Sequence, residues 1–179
     1  MPLILLLGGA RSGKSALAVE LAARHGGPVT FIATGEAGDD EMRARIARHR
    51  AERPPGWRTV EAPVRLEAAV AGVADDACLL VDCLSLWVAN VMHEDAGLAA
   101  LPARSRRAAA LAARRDGLTI AVSNEVGMGI VPATPLGRAY RDALGRVNAA
   151  WASAADTVLL VVAGRALRLA RAEDLLPRG

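Results

Sequence analysis

The residues Gly8-Gly9-Ala10-Arg11-Ser12-Gly13-Lys14-Ser15 have the types and spacing that hold a chain of phosphates. They match G-x-x-x-x-G-K-[ST], directly after an apolar run and directly before residues of helical period. Glycines let successive backbone N–H groups turn inward onto a phosphate, and the helix N-terminus adds a partial positive charge. In such a loop the lysine reaches the β and γ phosphates and the Ser hydroxyl serves Mg²⁺. Lysine and arginine together number 22, yet Lys14 is the only lysine. A chain that uses arginine everywhere else keeps its one compact, flexible ammonium for this position.

Cys78-Leu79-Leu80-Val81-Asp82 is an apolar strand ending in an acid that would hold Mg²⁺, directly or through water. Strands also end in Asp simply to start a loop, so this motif leans on the first. Ser123-Asn124-Glu125-Val126-Gly127-Met128-Gly129-Ile130-Val131-Pro132 follows another strand at its carboxyl end, where open α/β sheets bind ligands. A binding loop and a structural Gly-rich turn both fit it. Met42, Ile46 and His49 share a helical face, with Arg45 and Arg53 on its flank. Spacing alone favours a solvated histidine among arginines over an anion site.

These motifs need a frame. Apolar runs at Leu3–Leu7, Val29–Ala33, Ala77–Val81, Leu118–Val122 and Thr157–Val162 read as buried strands, with Thr59–Glu61 a short one and Leu167–Leu169 an edge. Helical period marks Lys14–Arg24, a segment running to about Glu52, Leu66–Ala74, Leu84–Met92, Ala103–Arg115 and Leu136–Ala154, with His93–Pro102 a loop. Alternating strands and helices predict an α/β fold, a mostly parallel sheet with helices on both faces. The 179 residues suit one domain, residues 1–179, with no linker or internal repeat.

Composition excludes other classes. Net charge is +3 and aromatics are 3%, so nucleic-acid binding is not expected and the arginines at 104–107 and 114–115 read as a solvated helix face. No apolar run is long enough to span a membrane. Cys78 and Cys83 should point to opposite faces and stay reduced. A cytoplasmic protein is expected. The single lysine also rules out the Asn-Lys-x-Asp loop with which switch-type GTPases read guanine.

The chain resembles the bifunctional adenosylcobinamide kinase/adenosylcobinamide-phosphate guanylyltransferase family. The resemblance rests on the phosphate loop, Ile32-Ala33-Thr34, Asp39-Asp40-Glu41-Met42, Arg45-Ile46, His49, Arg53-Pro54, Trp57-Arg58-Thr59 and Glu61. It continues through Asn124–Pro132, Tyr140-Arg141-Asp142, Gly145-Arg146-Val147-Asn148 and Ala155-Asp156, nearly the whole length in order. It implies a RecA-like P-loop NTPase fold and a homotrimer. It also implies two reactions: phosphorylation of adenosylcobinamide by ATP or GTP, then transfer of GMP from GTP to adenosylcobinamide phosphate, giving adenosylcobinamide-GDP. By resemblance His49 carries GMP, Lys14 assists, and Thr34, Arg50, Arg53, Glu61 and Asp82 contact GTP. Ser15 and Asp82 would hold Mg²⁺. Relatives often carry two adjacent histidines where this chain has Arg48-His49. The other readings are a monofunctional kinase of another small alcohol and a regulatory nucleotide switch.

Overall fold

The computed structural model describes residues 2–38, 40–51, 53–94 and 97–175. The side chains of Glu41, Met42, Arg45 and His49 lie outside the described part. The elements run β1 (Leu3–Leu7), α1 (Lys14–Ala23), β2 (Val29–Ala33), α2 (Asp40–Ala51), β3 (Arg58–Glu61), α3 (Leu66–Ala71) and β4 (Cys78–Asp82). They continue as α4 (Leu84–Met92), α5 (Gly97–Ala113), β5 (Thr119–Val122), α6 (Pro135–Ala154), β6 (Thr157–Val162) and β7 (Arg165–Leu169), ending in a 3₁₀ turn over Ala172–Leu175.

The seven strands form one sheet in the order β3-β2-β4-β5-β1-β6-β7. Every neighbouring pair is parallel except β6 with β7. Parallel neighbours need crossovers, and the helices supply them. Strand side chains alternate, so each strand feeds two cores. Leu3, Leu5, Leu79, Val81 and Ala121 point into the larger one with residues of α3 to α6, including Trp87, Leu101, Leu144 and Trp151. Leu6, Phe31, Cys78, Leu80, Ile120 and Val122 point the other way, onto Ala18 and Ala22 of α1. This two-sided covering is why the strands read as solid apolar runs rather than alternating ones.

Three expectations need correction. Most of the segment from His93 to Pro102 is not loop, because α5 begins at Gly97 and carries Pro102 inside it. Leu101, Ser105, Ala108, Ala109 and Ala112 form one buried stripe, and packing that stripe offsets the backbone hydrogen bond that a proline removes. The arginines at 104–107 and 114–115 are not all solvated. Arg104 donates to Glu67 at 3.0 Å, Glu94 at 2.8 Å and the Val64 carbonyl at 2.6 Å. Arg115 is buried and donates to the carbonyls of Val73, Ala74 and Ala77. Finally, Cys83 packs against the same core cluster as Cys78, because the strand stops at Asp82 and its alternation ends there. Both thiols are free.

Candidate active site

Parallel pairing brings the carboxyl ends of the strands to one edge. Ala33 lies opposite both Glu61 and Asp82, Asp82 opposite Val122, and Leu6 opposite both Val122 and Leu159. Register alone therefore places Glu61, Thr34, Asp82, Ser123 and Gly8 along one rim.

The loop from Gly8 to Gly13 turns from β1 into α1. Gly8 has φ 154°, and a Cβ there would stand 2.2 Å from the Val161 carbonyl oxygen. Gly13, at φ 100°, occupies the cap position of α1 in the left-handed region. Two ties hold the loop from outside: Gly164 N–H donates to the Ser12 carbonyl at 2.8 Å, and Glu125 N–H donates to the Gly8 carbonyl at 3.0 Å. Lys14 is buried, and its Nζ donates to the Gly9 carbonyl at 2.7 Å and to Ser12 Oγ at 3.4 Å. Its ammonium is thus turned back over the loop. Gly9, Ala10 and Arg11 face solvent.

Asp82 ends β4, two strands from β1, and is half-buried. Its neighbours fix the turn that follows. The Thr34 hydroxyl donates to the Cys83 carbonyl at 2.6 Å and accepts from the Cys83 N–H at 2.7 Å. Thr34 N–H donates to the Asp82 carbonyl at 3.2 Å. Asn90 then donates to the carbonyls of Thr34 and Pro63, at 2.8 and 3.0 Å. Thr34 is wholly buried with its hydroxyl committed to Cys83. These bonds tie the end of β2 to the turn that follows Asp82. Sequence reading missed Asn90, and its one signal was a lone amide in the apolar helix Leu84–Met92.

An arginine cluster sits beside this turn. Arg50 pairs with Glu61. Arg53 stacks 3.6 Å over the Phe31 ring and donates to Thr59 Oγ1 at 3.1 Å. Its Nε is buried with no hydrogen-bond partner among the described residues. Burial lowers the Arg53 pKa first and Arg50 lowers it further, while Asp82 and Glu61 raise it. A guanidinium beside this rim with an unmet donor suits an anion. The backbone of α2 carries His49 next to Arg50, and the His49 and Arg45 side chains lie outside the described part.

The third part of the rim is the segment after β5. Ser123 Oγ donates to Asn148 Oδ1 at 2.6 Å, and Asn148 donates to the Asn124 carbonyl at 2.9 Å. Helix α6 thereby anchors the root of the loop. For Mg²⁺ the donor set is appropriate. Ser15, at the start of α1, offers a hydroxyl and Asp82 a carboxylate, both hard oxygens, and Mg²⁺ takes few protein ligands. Among the described residues no group of three or more His, Cys, Asp or Glu forms a dedicated metal cage. A separate cavity of about 400 Å³, lined by Ala152, Ala155, Val158, Leu169 and Arg171 among others, lies toward the amino end of β6. Its largely apolar wall offers no phosphate cradle.

Comparison with known proteins places this arrangement. The bifunctional adenosylcobalamin biosynthesis protein CobP of Pseudomonas aeruginosa is 47% identical over 89% of this chain and 92% of its own length. The corresponding protein CobU of Escherichia coli is 38% identical over 93% of this chain and 99% of its own. Among solved structures, an ATPase from the type III secretion system of pathogenic bacteria superposes with a TM-score of 0.53 at 12% identity. That match spans 97% of this chain and 60% of the other. This likeness is one of fold alone. A family model described as cobinamide kinase / cobinamide phosphate guanyltransferase matches residues 4–169, and the chain belongs to that family.

Proposed function

We propose that this chain works as one catalytic unit that phosphorylates adenosylcobinamide and then guanylylates the product, using a single triphosphate cradle for both steps. The observation that carries this reading is the rim itself. The loop Gly8, Gly9, Ala10, Arg11, Ser12, Gly13, Lys14 and Ser15, the acid Asp82 and the Arg50–Arg53 cluster share one sheet edge.

In the kinase step the substrate hydroxyl oxygen bonds to the γ-phosphorus, the bond to the β-phosphate bridge breaks, and the hydroxyl proton is lost. Lys14 and the loop N–H groups hold the charge that gathers on the departing diphosphate. In the second step a His49 ring nitrogen bonds to the α-phosphorus of GTP and pyrophosphate leaves. An oxygen of adenosylcobinamide phosphate then takes the GMP and frees the imidazole. The backbone places His49 one residue before Arg50, whose pair with Glu61 pins the end of α2 to the rim. Arg53 would meet a phosphate through its unpartnered Nε. Thr34 supports the turn after Asp82. Ser15 and Asp82 would hold Mg²⁺, which when bound neutralises phosphate charge. We further propose a homotrimer working in the cytoplasm. No described helix is long and apolar enough to cross a membrane.

The test is mass spectrometry of the intact protein after incubation with Mg²⁺ and GTP. Wild type should gain one GMP, labile in acid and stable in alkali. His49→Ala should not gain it, should lose guanylyl transfer, and should keep most kinase activity. Labelling that persists in His49→Ala moves the carrier to another residue.

A further inference from the structure

The loop following β5 carries an unusual surface. Ile130 is 96% exposed, Met128 76%, Leu136 64% and Val131 60%. From Val126 to Gly137 there is no charged residue. Exposed apolar residues are ordinary when scattered singly, but a contiguous patch marks a binding surface.

The patch is also built to hold its shape. Gly127 N–H donates to Glu125 Oε1 at 2.5 Å, which closes a turn at the start of the segment. Arg138 donates to the carbonyls of Pro132 and Ala133, both at 2.9 Å. Thr134 caps α6 by accepting from Gly137 N–H at 3.1 Å. Asn148 holds the Asn124 carbonyl at the root, and Glu125 N–H is bonded to the Gly8 carbonyl. Polar groups thus fix the backbone while the apolar side chains stay exposed. Such a fixed surface binds without paying a large ordering cost.

Its position selects the occupant. The root of the loop is hydrogen-bonded to the first residue of the phosphate cradle, so whatever lies on the loop lies beside the triphosphate. The acceptor has to be there, because its hydroxyl must reach the γ-phosphorus. Arg138 and Glu125 are engaged with the loop backbone, and the exposed side chains from Val126 to Leu136 carry no charge, which suits a large ring system with methyl-bearing faces.

We propose that Val126, Met128, Ile130, Val131 and Leu136 form the docking surface for the corrin macrocycle of the acceptor. The assignment rests on the functional reading above. The experiment is titration of the 179-residue chain with cobinamide, followed by the corrin absorbance, for wild type and for Met128→Ser/Ile130→Ser. Both side chains are exposed, so the variant should fold. Removing that much buried apolar surface should weaken cobinamide binding by roughly tenfold or more. GTP affinity and the mass by light scattering should not change. Leu175→Ser, at an exposed leucine in the 3₁₀ turn, should leave cobinamide binding as in wild type. Unchanged cobinamide affinity in the double variant overturns the proposal. A drop in mass also overturns it, by assigning the loop to contact between copies of the chain. Wild type that binds GTP but no cobinamide sinks the functional reading itself, and this surface with it.

Discussion

Gly8→Ala should damage the phosphate loop through a contact that no nearby rearrangement relieves. The added Cβ would stand 2.2 Å from the Val161 carbonyl oxygen and 2.9 Å from Ser12 Oγ. The serine hydroxyl can rotate, but the carbonyl belongs to β6 and is held by the sheet. An unstrained contact needs roughly 3.4 Å, so the loop must move off β6 by about 1 Å. The backbone at φ 154° adds strain for any L side chain. Overpacking of this kind costs about 1–3 kcal/mol, and at this chain length each kcal/mol lowers Tm by about 2–4 °C. A fall of about 5–10 °C follows. Function should suffer more than stability, because a 1 Å misplacement of a positioned group costs about 100-fold. The assay pairs a thermal melt with titration of a fluorescent GTP analogue. Gly9→Ala is the stability control, since nothing lies within 4 Å of its Cβ. If Gly8→Ala melts like wild type and binds GTP within about threefold of it, the contact with β6 does not set the loop, and the reasoning fails.

Three further outcomes are expected. Lys14→Ala should cripple kinase and guanylyltransferase activity together, measured as separate single-step assays; loss of only one would mean two nucleotide sites. Arg115→Met strips the partner from the carbonyls of Val73, Ala74 and Ala77, and urea unfolding should show a loss of about 3 kcal/mol or more, with Arg115→Lys recovering only part of it. Burial pushes the Cys78 thiol up from 9.0 to about 11, so it stays protonated in the fold where the unfolded chain would ionise. That contribution is full below pH 9.0 and disappears as pH rises through about 11, so the urea midpoint should fall across this window and fall less steeply in Cys78→Ala.

The parts of this protein that were legible in the sequence are those set by local pattern. The run Leu3–Leu7, the glycines after it and the helix from Lys14 lie within a short stretch, and each element constrains the next. Asp82 was legible as a strand end, and the register with Ala33 and Val122 brings it to the rim. What stayed hidden depends on contacts distant in sequence. Pro102 looked like a terminator because the stripe that buries α5 against its neighbours is a tertiary fact. Arg115 looked solvated because its acceptors lie about forty residues upstream. Thr34 is visible in the sequence as part of the family pattern, but the bonds its hydroxyl exchanges with Cys83, 49 residues on, are not. Asn90 carried no motif at all, although it ties Thr34 to Pro63.

If one cradle serves both reactions, as proposed above, the two nucleophiles need separate approaches, and the strand order offers them. On the proposed mechanism the kinase acceptor must reach the γ-phosphorus, while the His49 imidazole must reach the α-phosphorus, two bridges away along the same chain. Two nucleophiles cannot occupy one approach. The segment carrying the exposed apolar patch leaves β5, next to the strand that feeds the phosphate loop. Arg50, at the end of the helix carrying His49, pairs with Glu61 of β3, and Arg53 beyond it stacks on Phe31 of β2. Strands in a sheet lie about 4.8 Å apart, so the two anchoring regions are separated by roughly 10–15 Å along the rim. Asp82, on β4, stands between them. An acceptor lying on the loop and an imidazole arriving from α2 would therefore enter from different sides of one bound triphosphate. On the proposed reading, the same separation would let the phosphorylated acceptor remain on its loop while fresh GTP loads His49.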